Sequence, residues 1–137
     1  MKSEDCIFCK ITRKELPSKV LFENDLNLAF LDISPLAKGH TIVIPKNHYA
    51  TIEDIPEFAL SELYKDVKKI AMIIHDKLQI DGYNILQNNF TAAGQVVKHF
   101  HVHIIPRNLD DDTLRVKIPR KQATEEELNN VARKLGL

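Results

Sequence analysis

The chain lacks the features of a membrane-spanning or secreted protein. None of its apolar runs is long enough to cross a bilayer. Its first ten residues, MKSEDCIFCK, are polar and acidic where a signal peptide would carry an apolar stretch. We therefore expect a cytoplasmic location and no membrane partner.

The sequence also has no excess of charge of either sign. Lys and Arg together number 19, as do Asp and Glu, so the formal net charge is zero. No global field attracts nucleic acid or an anionic membrane surface, and no basic stripe carries interleaved aromatic residues. We therefore expect no nucleic-acid partner.

Cysteine is scarce, and its two copies lie close together. Cys6 and Cys9, in CIFC, are separated by two residues, and this gap disfavours a structural disulfide, as does a reducing compartment. The spacing is typical of half a zinc site or of a redox pair. A redox pair would need a thioredoxin-like strand and helix around it, which the neighbouring sequence does not show. A zinc site would need two further ligands.

Internal repeats, low-complexity tracts and linkers are also absent, so we predict a single domain over residues 1–137. Strands are predicted at 19–24, 26–32, 40–45 and 83–88. Apolar residues recur at three- and four-residue steps between 57 and 79, which predicts one long helix. A short C-terminal helix is predicted to begin at Thr124, three residues before Glu127 in a capping-box pattern. Because the strands surround one helix without βαβ alternation, we predict an α+β fold with a mainly antiparallel sheet.

The most informative stretch is AGQVVKHFHVHIIPR, residues 93–107, in which His99, His101 and His103 alternate with apolar residues. In a strand, these three side chains share one face, while the apolar residues between them face the core. A merely polar exposed face could equally well carry threonine, lysine or serine. Three histidines at alternate positions therefore indicate a working surface.

Three adjacent imidazoles fit two kinds of chemistry. They could hold one zinc ion, because neutral imidazole is the commonest metal ligand. Alternatively, one imidazole could attack phosphorus at neutral pH without a strong base, while a neighbour stabilises oxygen charge or moves protons. The preceding AAGQVV favours phosphoryl or nucleotidyl transfer, because Gly94 lets the main chain approach a ligand and N–H groups there can hold phosphate oxygens. By itself, however, a glycine before a strand is more often a turn.

The pattern resembles the histidine triad (HIT) superfamily. GQVVKHFHVHIIPR is similar to the family signature of three histidines alternating with apolar residues. CIFCKI and LAFLDISPLAKGHTIVIPKNH match in order and spacing, so the similarity covers nearly the whole chain and is closest to the bacterial Hit/Hint branch. The resemblance implies a HIT-like fold. It also implies an enzyme that acts at the α-phosphate of purine nucleoside monophosphate derivatives, such as phosphoramidates, through a nucleotidyl-histidine intermediate that water hydrolyses.

The resemblance further implies roles for individual residues. His101 would be the nucleophile, His103 would stabilise charge on a phosphate oxygen, and His40 would lie near the phosphate and the leaving group. Asp32 would hold the ribose hydroxyls, because an ionised carboxylate can accept from two vicinal hydroxyls; alternatively, it merely begins a loop. The phosphate pocket would be lined by Asn88, Gly94, Gln95 and Val96, and the base would lie among Ile7, Phe8, Ile11, Phe30 and Ile33.

Two of these assignments have a competing interpretation or a departure from the family. The five apolar residues around the base could simply be core, as large apolar residues usually are. Many family members carry Ser or Thr where this chain has Val96. A hydroxyl there can help to hold the leaving group, whereas valine offers only its main-chain N–H. The departure therefore concerns leaving-group preference and rate, and leaves the nucleophile unchanged.

The resemblance also implies a structural zinc site, built from Cys6, Cys9, His48 and His99. Cys2His2 is a closed tetrahedral set, which suits a structural role, and no catalytic metal is expected. His99 would then be tied to the metal, while His101 and His103 face the nucleotide. The alternative is a pair of reduced thiols beside a surface histidine.

Two other functions remain open at this point. One is a dinucleoside polyphosphate hydrolase of the Fhit type, which shares the nucleophile and differs in substrate. The other is a zinc-stabilised protein that binds a nucleotide with negligible turnover. The resemblance also implies a homodimer, with the long helix and the adjacent strand at the interface. The region 109–137, a C-terminal extension with a short helix, departs most from compact family members.

Overall fold

A computed structural model describes residues 3–111 and 120–136. Five strands form one sheet, in which neighbouring strands follow the order β1-β2-β3-β5-β4 and every pair is antiparallel. The strands are β1 (Val20–Glu23), β2 (Asn27–Leu31), β3 (Thr41–Pro45), β4 (Gly82–Leu86) and β5 (Val102–Arg107). The helices are α1 (Ile7–Thr12), α2 (Glu57–Leu78) and α3 (Glu125–Leu135), together with a short 3-10 helix, Thr91–Ala93. The predicted α+β class, antiparallel sheet, long helix and C-terminal helix are confirmed.

Successive strand residues point to opposite sides of the sheet, so each face carries its own row of apolar residues, and a helix packs on each. On one side, α1 packs its Phe8 and Ile11 against a row of buried apolar residues: Leu28, Phe30, Ile42 and Ile44. On the other side, α2 packs against a second row: Ala29, Val43, Val102 and Ile104. β2 and β3 are therefore buried on both faces and form the centre of the structure.

Helix α2 is joined to the β1–β2 turn by a buried carboxylate. The Asp66 Oδ2 atom accepts hydrogen bonds from the side-chain amides of Asn24 at 2.9 Å and Asn27 at 2.7 Å. Asp66 and Asn27 are both buried, and a buried carboxylate is tolerated where hydrogen bonds replace water. These bonds fix the position of α2 relative to β2.

Two features near the site differ from the sequence predictions. Helix α1 was not predicted; Cys6 caps it, with a sulfur that accepts from the main-chain N–H of Cys9. The strand predicted to carry all three histidines is shorter than expected. It is β5, which begins only at Val102 and forms three residue pairs with β3. His99 and His101 instead lie in the segment that leads into β5.

The C-terminal predictions fall partly outside the described residues. Helix α3 begins after Thr124, whose side chain accepts from the Glu127 N–H, while the Glu127 carboxylate accepts from the Thr124 N–H. Residues 1–2, 112–119 and 137 are not described. The predicted single domain over 1–137 and the extension over 109–137 therefore stay predictions. Over the described ranges, no helix combines the length and the apolar character needed to span a membrane.

Candidate active site and metal-binding residues

The three histidines of the triad lie on the α1 side of the sheet. His103 is paired with Ile42 on β3 and with Leu86 on β4, so its side chain shares the face on which α1 packs. Phe8 of α1 contacts His99 and His101 edge-on, with ring centroids 5.9 and 5.1 Å apart. The centroids of His101 and His103 are 4.8 Å apart.

A cavity of about 530 Å³ opens beside these histidines. Eight of the residues predicted for the nucleotide site line it: Phe8, Asp32, His40, Asn88, Gly94, Val96, His101 and His103. Further lining comes from residues that the sequence did not single out: Ser34, Leu36, Ile42, Leu86 and Val97. The cavity thus joins an apolar wall to a histidine-rich one, as ligand pockets commonly do.

The other predicted pocket residues lie outside the lining of this cavity. Ile11 and Phe30 are buried between α1 and the sheet, where Phe30 supports Phe8 at a centroid distance of 5.6 Å. Ile7 lines a neighbouring depression between the start of α1 and residues 96–98. Ile33 is 95% exposed, because the Asp32 carboxylate accepts from the Ser34 N–H and turns the chain outward.

Gln95 is buried and supports the loop before β5. Its Oε1 accepts from the Phe90 N–H at 2.8 Å, and its Nε2 donates to the Ala50 carbonyl at 2.6 Å. Phe90 has a φ of +70°, which is unfavourable for a non-glycine residue, and this contact with Gln95 holds it there. Gly94, at φ +89°, closes the same loop without a Cβ penalty. Gln95 therefore positions the loop that lines the cavity.

Main-chain partners set the tautomers of His99 and His101. A carbonyl oxygen can only accept, so the His101 Nδ1, 2.7 Å from the His99 carbonyl, carries the proton and donates it. The His101 Nε2 atom then keeps its lone pair. By the same reasoning, the His99 Nε2 donates to the Pro45 carbonyl at 2.8 Å, which leaves the His99 Nδ1 free to bind a metal.

A second pair of hydrogen bonds sets the tautomers of His40 and His103. The Leu36 N–H donates to the His40 Nδ1 at 3.1 Å, so neutral His40 carries its proton on Nε2. This Nε2–H donates to the His103 Nδ1 at 2.8 Å, and His103 therefore carries its own proton on Nε2. The Nε2–H of His103 takes no part in these two hydrogen bonds and can therefore donate to a ligand.

Burial keeps these imidazoles neutral near pH 7. Burial lowers the pKa of His101, and it lowers the pKa of His103 to about 4, with His101 and His40 contributing in the same direction. The pKa of His40 is also lowered by burial, against the opposing effect of the Asp32 carboxylate. A neutral His101 is the form that can act as a nucleophile.

Asp32, His40 and His103 also place possible ligand atoms within 4.8 Å of one another. The Asp32 Oδ2 lies 3.7 Å from the His40 Nε2. In the tautomer set by Leu36, however, that nitrogen carries a proton and offers no lone pair to a metal. The cluster is therefore better suited to hydrogen bonding with a substrate than to holding an ion.

The second histidine cluster has the donor set of a zinc site. The Cys6 Sγ lies 3.4 Å from the His99 Nδ1, and the Cys9 Sγ lies 3.5 Å from the Nδ1 atoms of both His99 and His48. A tetrahedral zinc ion, with Zn–S of about 2.3 Å and Zn–N of about 2.0–2.1 Å, separates such ligands by about 3.5 Å. Cys6, Cys9, His48 and His99 thus lie close enough to hold a metal.

Electrostatics at this cluster favour a bound cation. Burial raises the pKa of the Cys9 thiol, which disfavours the thiolate when no cation is near. Burial likewise lowers the pKa of His99 to about 4, so its Nδ1 is unprotonated near neutrality. A divalent cation bound at these atoms would compensate for the charge of both thiolates.

Sequence reasoning missed the main-chain groups that orient the histidines. The Pro45 carbonyl and the Leu36 N–H belong to residues whose side chains carry no catalytic chemistry. Leu36 could have been found from its position, since it lies four residues before His40 in a proline-containing turn. No local signal indicates Pro45, because it contacts a residue 54 positions away.

Comparison with known proteins places the chain in a family. The HIT domain family matches residues 13–110. The adenosine 5′-monophosphoramidase HNT1 of Saccharomyces cerevisiae is 40% identical over 130 residues, which cover 95% of this chain and 80% of the yeast protein. The crystal structure of a HIT family member from Bacillus subtilis has a TM-score of 0.88 and 38% identity, covering 97% of this chain and 96% of that one.

A third comparison concerns a metal-containing structure. The crystal structure of a zinc-bound histidine triad family protein from Mycobacterium smegmatis has a TM-score of 0.77 and 33% identity, covering 95% of this chain and 91% of that one. The match to the family extends over most of the chain, and the yeast relative aligns over nearly all of it. The sequence resemblance is confirmed, and the chain belongs to the HIT domain family.

Proposed function

We propose that this chain is a nucleotide hydrolase or transferase that acts at the α-phosphate of purine nucleoside monophosphate derivatives, phosphoramidates among them. The observation that carries the proposal is the tautomer of His101. Its Nδ1–H is held by the His99 carbonyl, so the Nε2 lone pair is available beside a cavity of nucleotide size. The activity named for the yeast relative, adenosine 5′-monophosphoramidase, supports the same substrate class.

In the proposed first step, His101 forms a bond to the α-phosphorus as the bond to the leaving group breaks. The Nε2 lone pair makes the new P–N bond, and the leaving group departs with its electron pair and takes up a proton from the solvent at the open side of the cavity. The ring then carries a positive charge, which the Nδ1–H bond to the His99 carbonyl stabilises. In the second step, water attacks the same phosphorus and releases a proton to the solvent, and His101 leaves as the neutral imidazole.

His103 acts in this scheme as a hydrogen-bond donor and keeps its proton. Its Nε2–H can hold a phosphate oxygen on which charge develops. Passing this proton on would require His40 to replace it, and His40 would then become an anion, because its Nδ1 already accepts from the Leu36 N–H. Stabilisation of oxygen charge therefore fits the geometry better than proton delivery.

The remaining lining residues fit the other parts of a nucleotide. The Asp32 Oδ1 accepts from the Ser34 N–H, and its Oδ2 is left for ribose hydroxyls. Phe8 offers an apolar surface to the base. The N–H groups of Gly94 and Gln95 already donate to the Thr91 and Phe90 carbonyls, so the main-chain donor for the phosphate would be the Val96 N–H at the cavity wall. The Val96 side chain is 88% exposed and brings no hydroxyl to the leaving-group side.

The direct test measures release of AMP by the purified protein. We expect turnover of adenosine 5′-phosphoramidate at a higher kcat/KM than turnover of a diadenosine polyphosphate, and an initial rate that EDTA leaves unchanged. A preference for the diadenosine compound would favour the Fhit-type alternative. Binding of AMP without turnover of either compound would favour the nucleotide-binding protein, and a rate that requires added metal would contradict covalent catalysis by His101.

We also propose that Cys6, Cys9, His48 and His99 hold a structural zinc ion. When bound, the ion would supply charge compensation for two thiolates and would join the segment before α1 to the segment before β5. The zinc-bound relative from M. smegmatis supports this assignment. A reducing compartment such as the cytoplasm, which stays our prediction for location, keeps both thiols available as ligands.

A homodimer formed at β4 completes the proposal. β4 is an edge strand whose side chains are exposed on both faces, Tyr83, Ile85 and Leu86 among them, and Tyr83 contacts His75 of α2 at a centroid distance of 5.7 Å. Such an edge readily pairs with a second strand. Sedimentation is expected to give twice the mass of one chain, and Ile85→Lys to weaken the dimer, so that its average mass falls toward one chain on dilution. Ile52→Lys, at a similarly exposed isoleucine, is the control; an unchanged dimer in Ile85→Lys would contradict this interface.

A further inference from the structure

Helix α3 carries an apolar stripe that none of the described residues covers. Leu128, Val131 and Leu135 recur at steps of three and four residues, which places them on one side of the helix. All described residues from 120 to 136 are exposed, and these three side chains are between 55% and 62% exposed. A helix that is amphipathic and exposed on every side has the form of one that binds a groove.

An open apolar groove lies on the α2 side of the sheet, away from the nucleotide cavity. Its volume is about 430 Å³, and it shares no lining residue with that cavity. Its walls come from β1, the end of β2 and α2, and include Leu21, Phe22, Leu31, Ile70, Ile73 and Leu78. Ile73 and Leu21 are about half exposed, so the groove could accept a further apolar surface.

The charges around the groove complement those of α3. Lys38 and Lys77 line the groove, and Lys69 lies nearby with its Nζ 5.2 Å from the centre of the Phe22 ring. The first turn of α3 contains three consecutive acidic residues, Glu125, Glu126 and Glu127. The apolar stripe and acidic end of α3 therefore match the apolar walls and basic rim of the groove in kind.

We propose that α3 of one copy of the chain binds the groove between α2 and β1 of a second copy. In this structure, α3 is exposed while the groove of the same chain is open, so a second copy can supply the helix without rearrangement of either body. The groove uses the flank of α2 that carries Ile73 and Lys77, whereas the proposed β4 interface uses the flank that carries His75. Both contacts can therefore form in one assembly.

The lengths involved permit this arrangement. Helix α3 has 11 residues and is therefore about 16 Å long, which is enough to lay its three apolar residues along one groove. The chain from Asp111 to Thr124 spans at most about 43 Å when fully extended, at about 3.3 Å per residue. A five-strand sheet is about 19 Å across, at about 4.8 Å between strands, so α3 can reach past its own sheet.

The test joins α3 to the groove by a disulfide between two different chains. Zinc-loaded Ile73→Cys protein is mixed with zinc-loaded Val131→Cys protein, the mixture is incubated until the subunits have exchanged, and oxidised glutathione is added. We expect a covalent dimer on a non-reducing gel that contains one chain of each kind. Arg133→Cys, on the opposite side of α3, is the matched control and is expected to give no such product when mixed with Ile73→Cys.

A double variant distinguishes binding to a second copy from binding within one chain. Ile73→Cys/Val131→Cys is expected to give covalent dimers on a non-reducing gel, with a yield that falls once dilution has separated the two chains. An internal disulfide that forms at every dilution, with no mixed dimer from the single variants, would overturn the proposal in favour of the chain's own groove. Equal linking through the Arg133→Cys control, or no linking at all, would also overturn it. Unchanged thermal unfolding of each variant excludes misfolding, and none of these outcomes depends on nucleotide turnover.

Discussion

His101→Ala is expected to lower kcat/KM for adenosine 5′-phosphoramidate by on the order of 10⁴-fold or more. The variant removes the only atom that the proposed mechanism uses to attack phosphorus. His103 cannot replace it, because its Nδ1 accepts from the His40 Nε2–H, and its Nε2 carries the remaining proton. Initial rates of AMP release at several substrate concentrations measure this loss.

The control for this variant is His75→Ala. It makes the same chemical change at an exposed histidine on α2, outside the cavity lining, and is expected to leave kcat/KM unchanged in protein whose sedimentation matches that of the wild type. His101→Ala should still bind AMP, because Asp32, Phe8 and the loop at Gly94 are untouched. Full activity in His101→Ala, with AMP binding intact, would show that another group attacks phosphorus and would overturn the mechanism.

Covalent catalysis also predicts an adduct that the variant cannot form. Wild-type protein mixed with excess substrate and quenched rapidly in base should carry one added AMP group on the peptide that contains His101. Base is required because a phosphorus–nitrogen bond to imidazole hydrolyses in acid. An adduct on the peptide of His75, or its presence in His101→Ala, would contradict the assignment of the nucleophile.

The placement of the triad could be predicted because strand geometry depends only on the spacing of residues. Alternation puts His101 and His103 on one side, and the structure brings their rings within 4.8 Å. The pattern needs no exact strand boundary, since His101 keeps its side although β5 begins one residue later. Phe100 and Val102, which alternate with the three histidines, contribute to the core, as the same alternation requires.

Helix α1 could not be predicted for reasons of length and capping. Six residues form less than two turns, and such a short helix depends on tertiary packing for its stability. Its cap is the sulfur of Cys6, which is not among the residue types that usually begin a helix. Phe8, the residue that covers His99 and His101, therefore had no local signal that placed it there.

Hydrogen bonds between side chains and distant main-chain groups could not be predicted from the sequence either. The resemblance assigned Gln95 to the phosphate pocket, whereas its amide contacts the Ala50 carbonyl, 45 residues away in the chain. The Pro45 carbonyl receives the His99 N–H in the same way. Residue types indicated which groups could react, while these long-range partners determine which nitrogen carries the proton.

Cys9→Ser is expected to lower the free energy of unfolding by about 4 kcal/mol or more, and the thermal midpoint by on the order of 10 °C or more. Cys9 is fully buried, and its sulfur is 3.5 Å from both His48 and His99. Loss of this thiolate would open the proposed zinc site and leave His99 buried without its partner. Thermal unfolding followed by circular dichroism, with zinc content measured by elemental analysis, tests the expectation.

EDTA provides the matched comparison, because it removes the metal without changing the sequence. Prolonged dialysis against EDTA should destabilise the wild-type protein to a similar extent and should have little further effect on Cys9→Ser, since both changes remove the same ligand set. Equal unfolding of wild-type protein with and without zinc would overturn the metal site and leave Cys6 and Cys9 as reduced thiols.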